Sequence, residues 1–69
     1  MKKWDGEKLR EIAKQREMTF VDIAKKIGVS KATMSYWVSG ETQPKANSLF
    51  KLSSLLLVDI NYFYDDVEE

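Results

Sequence analysis

Apolar residues recur at helical spacing in four stretches of this chain, each bounded by a polar or glycine-containing break. Leu9, Ile12 and Ala13 share one face of the first, with Arg16 at its far end. Ile23, Ala24 and Ile27 form the second face, with Phe20 or Val21 beside them. Met34, Trp37 and part of Val38 form the third. Leu49, Leu52, Leu55 and Leu56 make the fourth, with Phe50 alongside. Ile60 and Phe63 suit a last short helix over residues 60–64 that closes the core. No segment alternates with the period of a strand. The pattern predicts an all-α fold of five helices in a single domain.

The breaks carry the chemistry of helix ends. Asp5 can cap the first helix, predicted over residues 6–17, and Trp4 can fold back as an anchor ahead of it. Thr19 is placed to cap the second helix, with Asp22 three residues on as a short-armed capping box. Gly28 fits the left-handed position after that helix, where a Cβ is unfavourable. Ser30 then caps the third helix with Thr33 at its third position, and Gly40 stops it. Pro44 fits the first turn of the fourth helix and Asp59 can cap the fifth. Two short helices joined by a tight glycine turn, over about residues 20–39, read as a helix-turn-helix.

Composition narrows the classes. The chain has 69 residues and neither Cys nor His, which excludes disulfides, thiolate metal sites, most zinc sites and His-based acid–base chemistry. With no Gly-rich phosphate loop and its carboxylates on solvated faces, no catalytic site, metal or cofactor is expected. The basic N-terminus has no apolar run behind it, and residues 55–58 are too short to span a bilayer, so a cytoplasmic protein with no membrane partner is expected. The net charge of zero hides an asymmetry. Residues 1–51 hold eleven bases and six acids, a balance of +5; residues 52–69 hold no base and five acids, a balance of −5. A basic body with an acidic tail over residues 65–69 can attract a polyanion on one side, or its lysines can simply be solvated.

The markers Met18-Thr19, Ile23-Ala24, Ile27-Gly28-Val29-Ser30, Met34-Ser35, Trp37, Gly40, Pro44, Leu49 with Leu52, and residues 58–63 resemble the lambda-repressor-like DNA-binding domains, the XRE family of helix-turn-helix regulators. The resemblance covers residues 9–64. It implies a phage- or plasmid-type transcriptional repressor that binds double-stranded DNA through helix 3 in the major groove. By position it directs Lys31, Ala32 and Tyr36 at base edges. Thr33, Ser35, Ser39 and the loop around Thr42 would face phosphates, with Lys45 beside them.

Three positions depart from the family. Phe20 stands where a phosphate-contacting Gln is usual. Ala13 and Val38 replace a frequent Arg–Glu pair, leaving no charge unpaired. Leu57 occupies a position usually held by Gly. Phe20 therefore reads either as core, with Val21 outside, or as an exposed anchor for a protein partner. Tyr62 and Tyr64 read either as a homodimer surface or as cover over a buried Phe63. The alternative function is an HTH-fold modulator that binds another protein, such as an antirepressor or antitoxin.

Overall fold

The computed structural model describes residues 2–67. The four main helices form at the predicted stretches: α1 (Gly6–Gln15), α2 (Phe20–Ile27), α3 (Lys31–Ser39) and α4 (Ala46–Leu56). Their inward stripes meet in one core, in which Leu9, Ile23, Met34, Leu52, Leu56 and Phe63 are completely shielded from solvent. Two expectations on that core change. Phe50, placed beside the α4 stripe, is 61% exposed, and Leu55 is only half-buried.

The predicted caps form. Asp5 accepts the Glu7 N–H at 3.0 Å, Thr19 Oγ1 accepts that of Asp22 at 3.1 Å, and Ser30 Oγ accepts that of Thr33 at 3.0 Å. Each satisfies a donor that the start of a helix leaves without a partner. Two boundaries move. α1 ends at Gln15 rather than residue 17, because Glu17 turns left-handed (φ +56°) and the Met18 N–H bonds back to the Ala13 carbonyl at 2.9 Å. Arg16, expected on the core face, instead donates from Nε to the Leu56 carbonyl at 2.8 Å, closing the C-terminus of α4. α4 starts at Ala46, with Pro44 buried just ahead of it.

The chain is not wholly helical, and the fifth helix is a single 3₁₀ turn over Ile60–Phe63. The Phe63 carbonyl accepts the Asp5 N–H at 2.8 Å, which turns the chain out of helical geometry and alongside its own beginning. There β1 (Lys2–Trp4) pairs antiparallel with β2 (Tyr64–Asp66), in the register Lys2↔Asp66, Lys3↔Asp65 and Trp4↔Tyr64. Asp65 and Asp66 of the acidic tail are thus strand residues; Glu68 and Glu69 lie outside the described residues.

Two ion pairs accompany this ladder. Lys2 and Asp66 approach to 3.9 Å, and Lys8 of α1 reaches Asp65 at 2.8 Å. Asp65 is pulled below the usual carboxylate range by Lys8 and then by a hydrogen bond with Asp5. The same hydrogen bond, followed by partial burial, raises Asp5, and Asp65 raises Lys8. As pH falls, Asp5 therefore takes up a proton before Asp65, whose ionised form Lys8 stabilises.

Trp4 ties the ladder to the helices. Its ring is buried, lies 5.4 Å from Phe63 and edge-on to Tyr64 at 6.0 Å, and its Nε1 donates to the Trp37 carbonyl at 2.8 Å. Two residues on, Gly6 brings the start of α1 against the end of α3. A Cβ there would overlap the Trp37 and Val38 carbonyl oxygens and lie 2.7 Å from the Val38 carbonyl carbon.

Leu57 closes α4 in the left-handed region (φ +58°, ψ +46°) with its side chain 78% exposed. That conformation costs a residue with a Cβ about 1–2 kcal/mol. Glycine avoids this strain but loses about 0.5–1 kcal/mol in chain entropy. Leu57→Gly is therefore expected to stabilise the fold by about 0.5–1 kcal/mol, read as a higher Tm in a thermal melt. A lower Tm would mean that the exposed leucine makes contacts worth more than the strain.

Candidate nucleic-acid interface

Helix α3 is positioned from both ends and from beneath. Gly28 (φ +79°) closes α2, with its N–H on the Ala24 carbonyl at 2.9 Å, and Val29 turns back toward the core. Ser30 starts α3, and its Oγ lies 2.8 Å from Thr33 Oγ1. Gly40 (φ +86°) ends it, donating to the Tyr36 carbonyl at 3.1 Å. Met34, Trp37 and Val38 are buried beneath. Ala13 and Val38, the apolar replacements for an ion pair, are both buried, so neither places a charge in the join between α1 and α3.

The outer face is presented whole. Lys31, Ala32, Ser35, Tyr36 and Ser39 are all exposed, Tyr36 to 50%. Among the described residues, Lys31 has no ion-pair partner, and α3 contains one base and no acid. The hydroxyls divide into two groups. Thr33 is half-buried and engaged with Ser30, and Ser39 Oγ donates to the Tyr36 carbonyl at 3.1 Å. Ser35 has no hydrogen-bond partner among the described residues. Beyond Gly40 the loop turns back, with the Thr42 N–H 3.4 Å from the Tyr36 carbonyl. Thr42 and Lys45 are exposed, and Lys45 precedes α4 without a side-chain cap.

The three aromatic residues with open readings lie apart from this face or at its edge. Phe20 is half-buried against the core, with Val21 outside it. It forms one wall of a cleft of about 230 Å³ between α1, α2 and α3, lined also by Arg10, Lys31, Ser35, Val38 and Ser39. Tyr62 and Tyr64 are half-buried at the opposite end of the chain. Tyr62 packs edge-on to Phe63 at 5.5 Å with the Lys8 ammonium 5.8 Å from its ring centre, and Tyr64 packs on Trp4. Arg10 was not among the residues that the sequence marked as candidates for this face. The signal was its place three residues before Ala13, which puts it on the flank of the face turned to α3.

A capped helix pair with a tight left-handed glycine turn, whose second helix shows a basic, hydroxyl-rich face, defines a helix-turn-helix domain. The chain belongs to the helix-turn-helix family, in its XRE-type, lambda-repressor-like branch of DNA-binding regulators, and the family pattern spans residues 9–63. Solved structures agree. The P22 c2 repressor in complex with the synthetic operator 9T superposes with a TM-score of 0.79 at 31% identity, over 84% of this chain and 88% of that one. A transcriptional regulator from Listeria innocua gives 0.79 at 28%, over 93% of this chain and 60% of that one. The N-terminal DNA-binding domain of the biofilm regulator SinR from Bacillus subtilis gives 0.74 at 26%, over 94% and 96%. No curated protein matches the chain. Among the described residues, no helix is long and apolar enough to cross a membrane.

Proposed function

We propose that this protein is a sequence-specific, repressor-like transcriptional regulator that lays α3 in the major groove of double-stranded DNA. The observation that carries the reading is α3 itself. Its inner stripe is buried, both ends are capped, and its exposed face carries Lys31, Ala32, Ser35 and Tyr36 with no acid. Lys31 suits the acceptors of guanine, and Ala32 and the Tyr36 ring suit a thymine methyl. Thr42, Lys45 and the uncapped first turn of α4 suit a phosphate oxygen. The reading is supported by the operator named with the P22 c2 repressor.

Phe20, the candidate anchor for a protein partner, and two aspartates of the acidic tail are largely engaged within the fold. Phe20 leans on the core, and Asp65 and Asp66 face Lys8 and Lys2. A monomer with one such motif makes few phosphate contacts, so it binds weakly and with steep salt dependence, and a pair of copies on two half-sites would bind far better.

The test selects bound duplexes from a random-sequence pool, then titrates them at two salt concentrations. Selective binding that weakens with salt is expected. Lys31→Ala and Tyr36→Ala should each lose about 1–3 kcal/mol on the selected site and relax its sequence preference. If no sequence is enriched even at low salt, the proposal fails.

A further inference from the structure

We propose that Arg10 of α1 is a phosphate anchor, seating a DNA backbone phosphate in the cleft between α1, α2 and α3. The proposal rests on α3 lying on DNA as above and adds a contact from outside the helix-turn-helix.

The choice of cleft follows from its lining. Two larger clefts flank the chain's first residues, of about 450 and 570 Å³, but carboxylates offset their cations: Asp5, Glu7 and Asp65 stand beside Lys3 and Arg10 in one, and Glu41 beside Lys2 and Lys3 in the other. A third, of about 440 Å³, is lined by Lys26, Lys51 and Phe50 among others but by no residue of α3. The 230 Å³ cleft has two cations, Arg10 and Lys31, two hydroxyls and no carboxylate in its lining. It also shares Lys31 and Ser35 with the outer face of α3, so DNA lying on that face passes over it.

Its walls determine which cation grips. Phe20 and Val38 are apolar, so they offer a phosphate no hydrogen bond, but they displace water and strengthen the field of the charges beside them. Phe20 can also cover the aliphatic stems of the two cations. Lys31 is a single point of charge at the start of α3. Arg10 approaches from the opposite wall with a planar fork that can hold two phosphate oxygens at once. Its present partner does not hold it strongly. Arg10 Nε is 3.6 Å from Glu7 Oε1, with the two side chains 58% and 68% exposed. A solvated pair of this kind contributes little and rearranges easily, and the terminal guanidinium nitrogens remain available. Ser35 supplies a hydroxyl without another partner, whereas the Ser39 hydroxyl is already spent on the Tyr36 carbonyl.

The experiment measures binding of wild type, Arg10→Ala and Arg10→Lys to the selected duplex and to a scrambled one, over a series of salt concentrations. Arg10→Ala should weaken both complexes by a similar factor, roughly tenfold, and make the log–log salt slope shallower by about 1, with Tm unchanged. Arg10→Lys should restore the slope and part of the affinity. Lys31→Ala, in contrast, should change the ratio between the two duplexes. Should wild type discriminate the duplexes while Arg10→Ala keeps its affinity and slope, the anchor is refuted and the DNA reading stands. A loss confined to the selected duplex would make Arg10 a reader of bases and would also overturn it. Absence of selective binding by wild type removes both proposals.

Discussion

Gly6→Ala should unfold most of this domain, or lower its unfolding free energy by about 3 kcal/mol or more and its urea midpoint with it. Two effects of opposite sign compete at this position. Alanine is the better helix former, by about 0.5–1 kcal/mol. Its methyl group, however, would overlap the carbonyl oxygens of Trp37 and Val38. Overpacking usually costs about 1–3 kcal/mol because side chains give way. Here the obstacle is backbone at the end of α3, which cannot rotate aside without breaking the turn at Gly40. A fold of this length is expected to hold roughly 3–10 kcal/mol in total, so the substitution removes a large share of it. Urea denaturation followed by helical circular dichroism measures the effect. An unchanged midpoint would mean that α1 and α3 can separate freely, and that α3 is not fixed from this side.

The second large effect is at Trp4. Trp4→Ala should cost about 3–5 kcal/mol, the range for emptying a buried aromatic site. Trp4→Phe should cost only about 1–2 kcal/mol, since it keeps a ring against Phe63 and Tyr64 and loses the bond from Nε1 to the Trp37 carbonyl. That carbonyl also receives the Gly40 N–H at 3.3 Å, so it is not left wholly without a donor. The graded pair separates packing from hydrogen bonding in the same denaturation measurement. Equal losses for the two variants would assign the effect to the hydrogen bond alone. Negligible loss for both would show that β1 contributes nothing to the core.

Much of this fold is written in local chemistry. Thr19, Gly28, Ser30 and Gly40 each act within a few residues, through a side-chain cap or a left-handed turn, and each was legible from the sequence. The outer face of α3 followed by subtraction, once Met34 and Trp37 were assigned inward. The ladder was not legible because three residues are too few to show alternation. Its signal lies in the match between two distant triplets, Lys-Lys-Trp and Tyr-Asp-Asp, whose charges and aromatics pair in antiparallel register. Phe50 was misplaced for a related reason: its position in α4 is adjacent to the stripe, and only the packing of the neighbouring helices decides whether such a residue is covered. Arg10 was hidden because a charged residue on an amphipathic helix is ordinarily solvent-facing, and the cleft beside it is formed by three helices together.

The ladder also bears on the order of events in folding. Its strands lie at nearly opposite ends of the sequence, whereas the turns around Gly28 and Gly40 join near neighbours. Closing so long a loop costs much chain entropy, and the cost falls only after the intervening helices have condensed. β1 and β2 should therefore zip late, after the rate-limiting barrier, and their contacts should govern how slowly the protein comes apart more than how quickly it forms. The pairing of Lys2 with Asp66 and Trp4 with Tyr64 then acts as a kinetic latch. It sets the residence time of the native state, and with it the time for which α3 is held in place.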